Sequence, residues 1–157
     1  MNAFVEAAEG RAVTLLHENE KEIYGDIPER CLDILTTINS PKLRATYDFS
    51  NFVQCGCDNL KAWELLKEHV VYFHFKDSLY SNEHAQRDQG LQITGNGHRP
   101  VGLGDGCCLE ILTQAKARGF DGFASIEPHL GEEFGATGVE RYLAAAQGAK
   151  ALLNKLG

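Results

Sequence analysis

The chain has 157 residues, enough for one domain with a sizeable core, and at 43% hydrophobic and 24% charged it has a globular composition. Its formal net charge of −7, with no basic cluster, argues against backbone-driven binding to nucleic acid or to an anionic membrane. No apolar stretch approaches the roughly 20 residues of a membrane span, and MNAFVEAAEGR lacks the basic flank and apolar core of a signal peptide, so a cytoplasmic protein is expected.

In chain order, RAVTLLHEN predicts a strand that ends in charge. DIPERCLDILTTI predicts a helix, with Asp26 as N-cap, Pro28 in the first turn and apolar residues at helical spacing. LRATYDFSN is a second strand and NLKAWELLKEH a second helix. VVYFHFKDS is a third strand, rich in β-branched and aromatic residues. A polar, Gly-rich stretch follows from Leu79 to Gly106, with a short strand expected around Pro100 to Leu103. CLEILTQAKARG is a third helix closed by Gly119. FDGFASIEP is another strand, and an Ala- and Leu-rich helix ends the chain. Strands alternating with helices imply an α/β fold of parallel βα units, a single domain over residues 1–157. The five cysteines, an odd number, read as reduced thiols.

Glu18, Asp48, His74 and Glu127 each stand at or near the C-terminal end of an apolar strand. The first three are one βα unit apart. The step to Glu127 fits two units, with the strand near residue 102 filling the place between. Ligands of parallel α/β proteins bind outside the carboxyl ends of the strands, so these four should converge. Parity agrees, because side chains alternate across a strand. Leu16 shares a face with Glu18, Thr46 with Asp48, Tyr72 with His74 and Lys76, and Ser125 with Glu127. The opposite positions, Leu15, Ala45, Phe73, Phe75, Ala124 and Ile126, are apolar. Glu20 is in phase with Glu18 but lies past the expected strand end, as an outer charge. Three carboxylates and one imidazole suit one divalent ion: Mn²⁺, Mg²⁺, Co²⁺ or Fe²⁺, with Zn²⁺ admitted. Without a cation the carboxylates would repel, and some would have to bind protons. The alternative reading is a set of strand ends capped by solvated acids.

LLHEN, TYDFSN, FHFKD, VGLGDG and GFDGFASIEP occur in this order. With them the chain resembles the sugar phosphate isomerase/epimerase group of the xylose-isomerase-like TIM-barrel superfamily, which includes ketose 3-epimerases and inosose dehydratases. The resemblance runs from about Arg11 to the C-terminus. It implies a divalent metal held by Glu18, Asp48, His74 and Glu127 at the ends of barrel strands four, five, six and eight. It also implies that Glu18 and Glu127 handle protons: one removes a proton beside a carbonyl and the other returns one to the opposite face of an enediolate. Arg99, with His98 beside it, is the implied substrate-binding arginine. Lys76 either touches substrate or forms a strand-end ion pair with Asp77. The partner is then a small sugar or polyol. Asp48-Phe49-Ser50-Asn51 lacks the His that ketose epimerases often carry there, which departs from that substrate class. Gly104-Asp105-Gly106 lacks the Lys-Ser/Thr of a phosphate-binding P-loop.

A closed eight-stranded barrel takes about 250 residues. This chain has room for five strands, so the expected fold is a partial parallel (β/α) barrel covering strands four to eight, with NAFVEAAEG as the end of the preceding helix. Such an arc leaves two sheet edges and an apolar inner face uncovered, which would favour homo-oligomers. The functional expectation is a metal-dependent sugar isomerase or epimerase. The alternatives are a keto-inositol dehydratase and a truncated, catalytically inactive fragment. The apurinic-endonuclease branch is disfavoured, because 15 Lys and Arg face 22 acids.

Overall fold

The computed structural model describes residues 1–80 and 97–157. In chain order the elements are helix α1 (Asn2–Ala8), strand β1 (Leu15–Glu18), a 3-10 turn (Tyr24–Asp26), α2 (Pro28–Ile38), β2 (Leu43–Asp48), α3 (Phe49–Gln54), α4 (Asn59–Leu66) and β3 (Val70–Phe75). The two-residue strands β4 (Asp77–Ser78) and β5 (His98–Arg99) follow. Then come α5 (Cys108–Ala117), β6 (Phe123–Ile126), a second 3-10 turn (Glu132–Phe134) and α6 (Gly138–Leu156). No helix among the described residues is long and apolar enough to cross a membrane.

β1, β2, β3 and β6 form one sheet in that order, and every neighbouring pair is parallel. Parallel pairing requires crossover connections, and the intervening helices supply them. They cover one face of the sheet, and the core lies there. Tyr47 and Phe73 are fully buried against Trp63, Phe49 and Phe52. The Phe49 and Phe73 rings stack at 5.4 Å, and the Tyr47 hydroxyl donates to the Asn59 carbonyl at 2.9 Å. The buried hydroxyl thereby finds a partner, as an aromatic core with a polar tip requires.

Register fixes the other face. Leu16 pairs with Arg44, Thr46 with Tyr72, and Tyr72 with Phe123. This is the face that a closed barrel would turn inward, and it is open: Phe123 is 78% exposed and Leu16 40%. Among the described residues, β1 and β6 are the sheet edges. The partial parallel (β/α) barrel expected from the sequence is thus the observed architecture.

Several local expectations are corrected. β1 starts at Leu15 rather than Arg11. β2 stops at Asp48, because FSN begins α3. Pro28 opens α2, but its N-cap is Ile27 and not Asp26; Asp26 closes the 3-10 turn and accepts from Arg30 at 2.8 Å. Pro100 to Leu103 is a turn, so no strand separates β3 from β6, which pair directly. His98 and Arg99 instead pair antiparallel with Asp77 and Ser78. The rest of the Gly-rich stretch, residues 81–96, lies outside the described residues. Gly119 follows the C-cap Arg118 of α5 with φ +83°, the left-handed conformation that ends helices cheaply only at glycine. None of the five cysteines forms a disulfide.

Phe73→Ala would empty the centre of the aromatic cluster and is expected to cost about 3–5 kcal/mol, measured as the shift in urea unfolding midpoint at unchanged slope.

Candidate metal centre

β2 ends in Asp48, and the carboxylate is immobilised on arrival. Its Oδ1 accepts from the Asn51 backbone N–H at 2.8 Å, so the same residue ends the strand and caps α3. Asn19, the residue after β1, clamps the Asp48 backbone from the neighbouring strand. Its Nδ2 donates to the Asp48 carbonyl at 2.9 Å, and its Oδ1 accepts from the Asp48 N–H at 2.8 Å. Asn51 completes the clamp, donating to the Asn19 carbonyl at 2.9 Å and to Glu18 Oε1 at 3.3 Å. Two buried asparagines thereby lock the ends of β1 and β2 together.

The register between β2 and β3 puts His74 directly beside Asp48. Its Nδ1 lies 2.9 Å from Glu18 Oε1, 3.4 Å from Glu127 Oε2 and 3.8 Å from Asp48 Oδ2. Glu127 stands one residue beyond β6, where its N–H reaches the Phe75 carbonyl at 3.4 Å. One donor atom from each of Glu18, Asp48, His74 and Glu127 falls within 4.8 Å of the others. The four sequence-selected residues therefore do converge. Glu20 is apart from them, its carboxylate accepting from the Lys21 N–H at 2.8 Å.

Lys76 also belongs to this cluster. It is 4% exposed, and its Nζ donates to Glu127 Oε2 at 2.8 Å and stands 3.0 Å from Asp48 Oδ2. The strand-end pair with Asp77 is not formed. Asp77, fully buried, instead accepts from the backbone N–H groups of Ser78, Gly102, Gly104 and Gly106. A Cβ at Gly104 or Gly106 would fall 2.5 or 2.7 Å from Asp77 Oδ1. Those glycines wrap an internal carboxylate, which gives the GLGDG pattern a reason other than phosphate.

His98 Nδ1 lies 3.2 Å from Ser50 Oγ and 3.1 Å from Ser78 Oγ, and the two hydroxyls are 2.5 Å apart. Its ring centroid is 5.3 Å from that of His129. Arg99 reaches Glu133 at 3.7 Å and lies over the Phe134 ring.

Electrostatics follow from burial and from these contacts. Burial pushes the Asp48 carboxyl up to about 7, against the pull of Lys76. Burial alone would lower Lys76, but Asp48 and Glu127 outweigh it and hold the ammonium above its usual range. Glu127 is drawn below the usual carboxylate range, its burial being outweighed by Lys76 and His74. His74 is raised by its hydrogen bond to Glu18. His98 falls to about 4 through burial, then through His129, Lys76 and Lys21.

The donor set fits a divalent cation on one specific observation. Asp48 Oδ2 is fully buried, and its cation is Lys76 Nζ at 3.0 Å, an ammonium that it shares with Glu127. One ammonium and one imidazole stand against three clustered carboxylates, which repel one another when ionised, and a divalent cation at this point relieves that cost. Asn19, Asn51 and the placement of Lys76 were not singled out from the sequence. The Asp48-x-x-Asn51 spacing, a cap spacing, is the one local signal that could have found part of this set.

A family model described as a xylose isomerase-like TIM barrel matches residues 1–154, and the chain belongs to that family. No curated protein matches the chain. Solved structures share the fold. The IOLI protein with a bound zinc atom is 18% identical, with a TM-score of 0.71 over 99% of this chain and 55% of its own. The probable 3-DHS dehydratase AsbF of Bacillus anthracis, involved in petrobactin synthesis, is 20% identical, with a TM-score of 0.67 over 94% of this chain and 53% of its own. A D-tagatose 3-epimerase-like protein is 22% identical, with a TM-score of 0.62 over 99% of this chain and 54% of its own. The chain thus spans about half the length of the structures it matches.

The His98 environment makes a stability prediction. Its folded pKa of about 4 lies below the usual 6.5, so between those values the unfolded chain binds the extra proton and stability is lost as pH falls. His98→Gln is expected to shrink the drop in melting temperature between pH 7 and pH 4.5 by several degrees, measured by circular dichroism. An unchanged drop would place the acid sensitivity elsewhere.

Proposed function

We propose that this member of the xylose isomerase-like TIM barrel family binds one divalent metal ion through Glu18, Asp48, His74 and Glu127. We propose further that it belongs to chemistry in which a sugar or sugar derivative is isomerised or epimerised by proton abstraction beside a carbonyl. The observation that carries the reading is the buried Asp48 carboxylate with three further ligand-type side chains in reach. Mn²⁺, Mg²⁺ and Co²⁺ suit a set dominated by carboxylates, while Zn²⁺ and Fe²⁺ are compatible with it.

Bound there, the ion would supply Lewis acidity, polarising a substrate carbonyl. The remaining work falls to side chains of this chain. One of Glu18 and Glu127 removes the proton from the carbon beside the carbonyl, and the other returns a proton to the opposite face of the enediolate. Asn51 orients the Glu18 carboxylate through a hydrogen bond, while the His74 contact with Glu18 and the Lys76 contact with Glu127 are those that an ion in the centre would replace. His98, Arg99 and Lys76 are the groups assigned to substrate oxygens. His98 is held neutral by its surroundings, so it would meet substrate as an uncharged hydrogen-bonding group.

Dehydration of a keto-inositol or related hydroxy-ketone begins with the same proton abstraction, and a structural neighbour described as a probable dehydratase favours it as the second reading. In a third reading the chain keeps the metal-binding side chains without turnover. The reading also places the protein in the cytoplasm. The exposed β1 and β6 edges, with Phe123 and Leu16 beside them, support self-association of the arc.

The test is a calorimetric titration with Mn²⁺ of the wild type, Glu18→Gln and Glu127→Gln. The expected outcome is about one ion per chain, with affinity reduced at least tenfold in each variant. A folded wild type that takes up no ion would overturn the reading. Assays on ketoses and inososes with the loaded protein then separate epimerised from dehydrated product.

A further inference from the structure

Lys76 is out of place in a cation site. A metal-binding cluster gathers negative charge, yet its most buried charged neighbour is an ammonium in contact with two of the oxygens a metal would use. Nζ is 2.8 Å from Glu127 Oε2 and 3.0 Å from Asp48 Oδ2. These are also the oxygens nearest to His74 Nδ1 from those two residues, at 3.4 and 3.8 Å. The lysine follows β3 directly, and its side chain is 3% exposed. It is held above its usual pKa range by the same carboxylates.

Two effects of this lysine on metal affinity oppose one another. As a hydrogen-bond donor it orients Glu127, which follows an edge strand and receives no other side-chain hydrogen bond among the described residues. Losing a ligand-orienting bond of that kind costs metal affinity ten- to a hundredfold. As a charge it repels any divalent ion that shares its oxygens. Repulsion between a full charge and a double charge a few Å apart in a partly buried site is larger than one orienting hydrogen bond. The charge effect therefore wins.

Resting on the metal-site reading above, we infer that Lys76 is a tethered cation which the Asp48 and Glu127 carboxylates exchange for the divalent ion. With Lys76 on the carboxylates, the centre is neutralised enough to fold around buried Asp48. As the ion takes those oxygens, the ammonium leaves them and becomes available to substrate oxygens. Lys76 is a positioning residue for the site before loading, and it lowers the site's affinity. No covalent step is involved. The device sets a threshold, so that the site fills only at a metal concentration sufficient to displace the internal charge.

Lys76→Met keeps the length of the stem and removes the charge. Calorimetry with Mn²⁺ is expected to show affinity at least tenfold tighter than wild type. Lys76→Arg, which keeps the charge, should remain within threefold of wild type. A second readout is thermal. Lys76→Met should melt lower than wild type without added ion and gain more from saturating Mn²⁺. If the variant folds poorly alone, it should be recovered by refolding with Mn²⁺ present. Equal or weaker Mn²⁺ binding by Lys76→Met, with the wild type binding normally, would overturn this inference and leave the metal site standing. Absence of binding in wild type and variant alike would overturn both.

Discussion

A carboxylate removed from water must be given a positive charge, a set of donors or a proton. Asp48 is such a carboxylate, with no exposed surface at all, and the arrangement around it answers that requirement. One oxygen is satisfied by the N-terminus of α3. The other meets the Lys76 ammonium at 3.0 Å and faces His74. Remove the need to stabilise this oxygen and neither the ammonium, nor the imidazole, nor the convergence of Glu18 and Glu127 has an evident reason.

The fold creates the problem as well as the means to solve it. Parallel strands bring their carboxyl ends to one side, and the helices leave from there. A carboxylate ending the second strand of this sheet is therefore flanked on both sides by neighbouring strand ends. Asn19 ties β1 to β2 by bonding the Asp48 backbone in both directions. On the other side, register alone places His74. The aromatic core beneath the opposite face makes this geometry stiff, since Tyr47 and Phe73 alternate with Asp48 and His74 along the same strands. Packing and site are thus two faces of one pair of strands.

The convergence of Glu18, Asp48, His74 and Glu127 was legible because two simple regularities expose it. The period-two alternation of LRATYD and VVYFHF separates helix-facing from inward residues, and each strand runs from apolar into polar at its carboxyl end. What was not legible depends on contacts without local signal. Asn19 acts across strands, at a separation that leaves no mark in either segment, and Asn51 shows only its cap spacing from Asp48. Lys76 was visible as an inward residue, but its choice of Asp48 and Glu127 over the adjacent Asp77 is decided by the loop that surrounds Asp77 with backbone donors. FSN follows the strand without a break signal and reads as its end, yet Asp48 caps it into helix. Pro100 to Leu103 has strand-like residues but lies in that same Asp77-centred loop, where Gly102 N–H is already committed to the carboxylate.

The account stands or falls on whether an ion enters this group of side chains through the imidazole that the β2–β3 register places there. Pulsed electron paramagnetic resonance of the Mn²⁺-loaded protein measures this directly. The account predicts one directly coordinated imidazole nitrogen, visible as ¹⁴N modulation and absent from His74→Gln. Manganese that keeps the spectrum of the hydrated ion, or a nitrogen coupling that survives in His74→Gln, would contradict it.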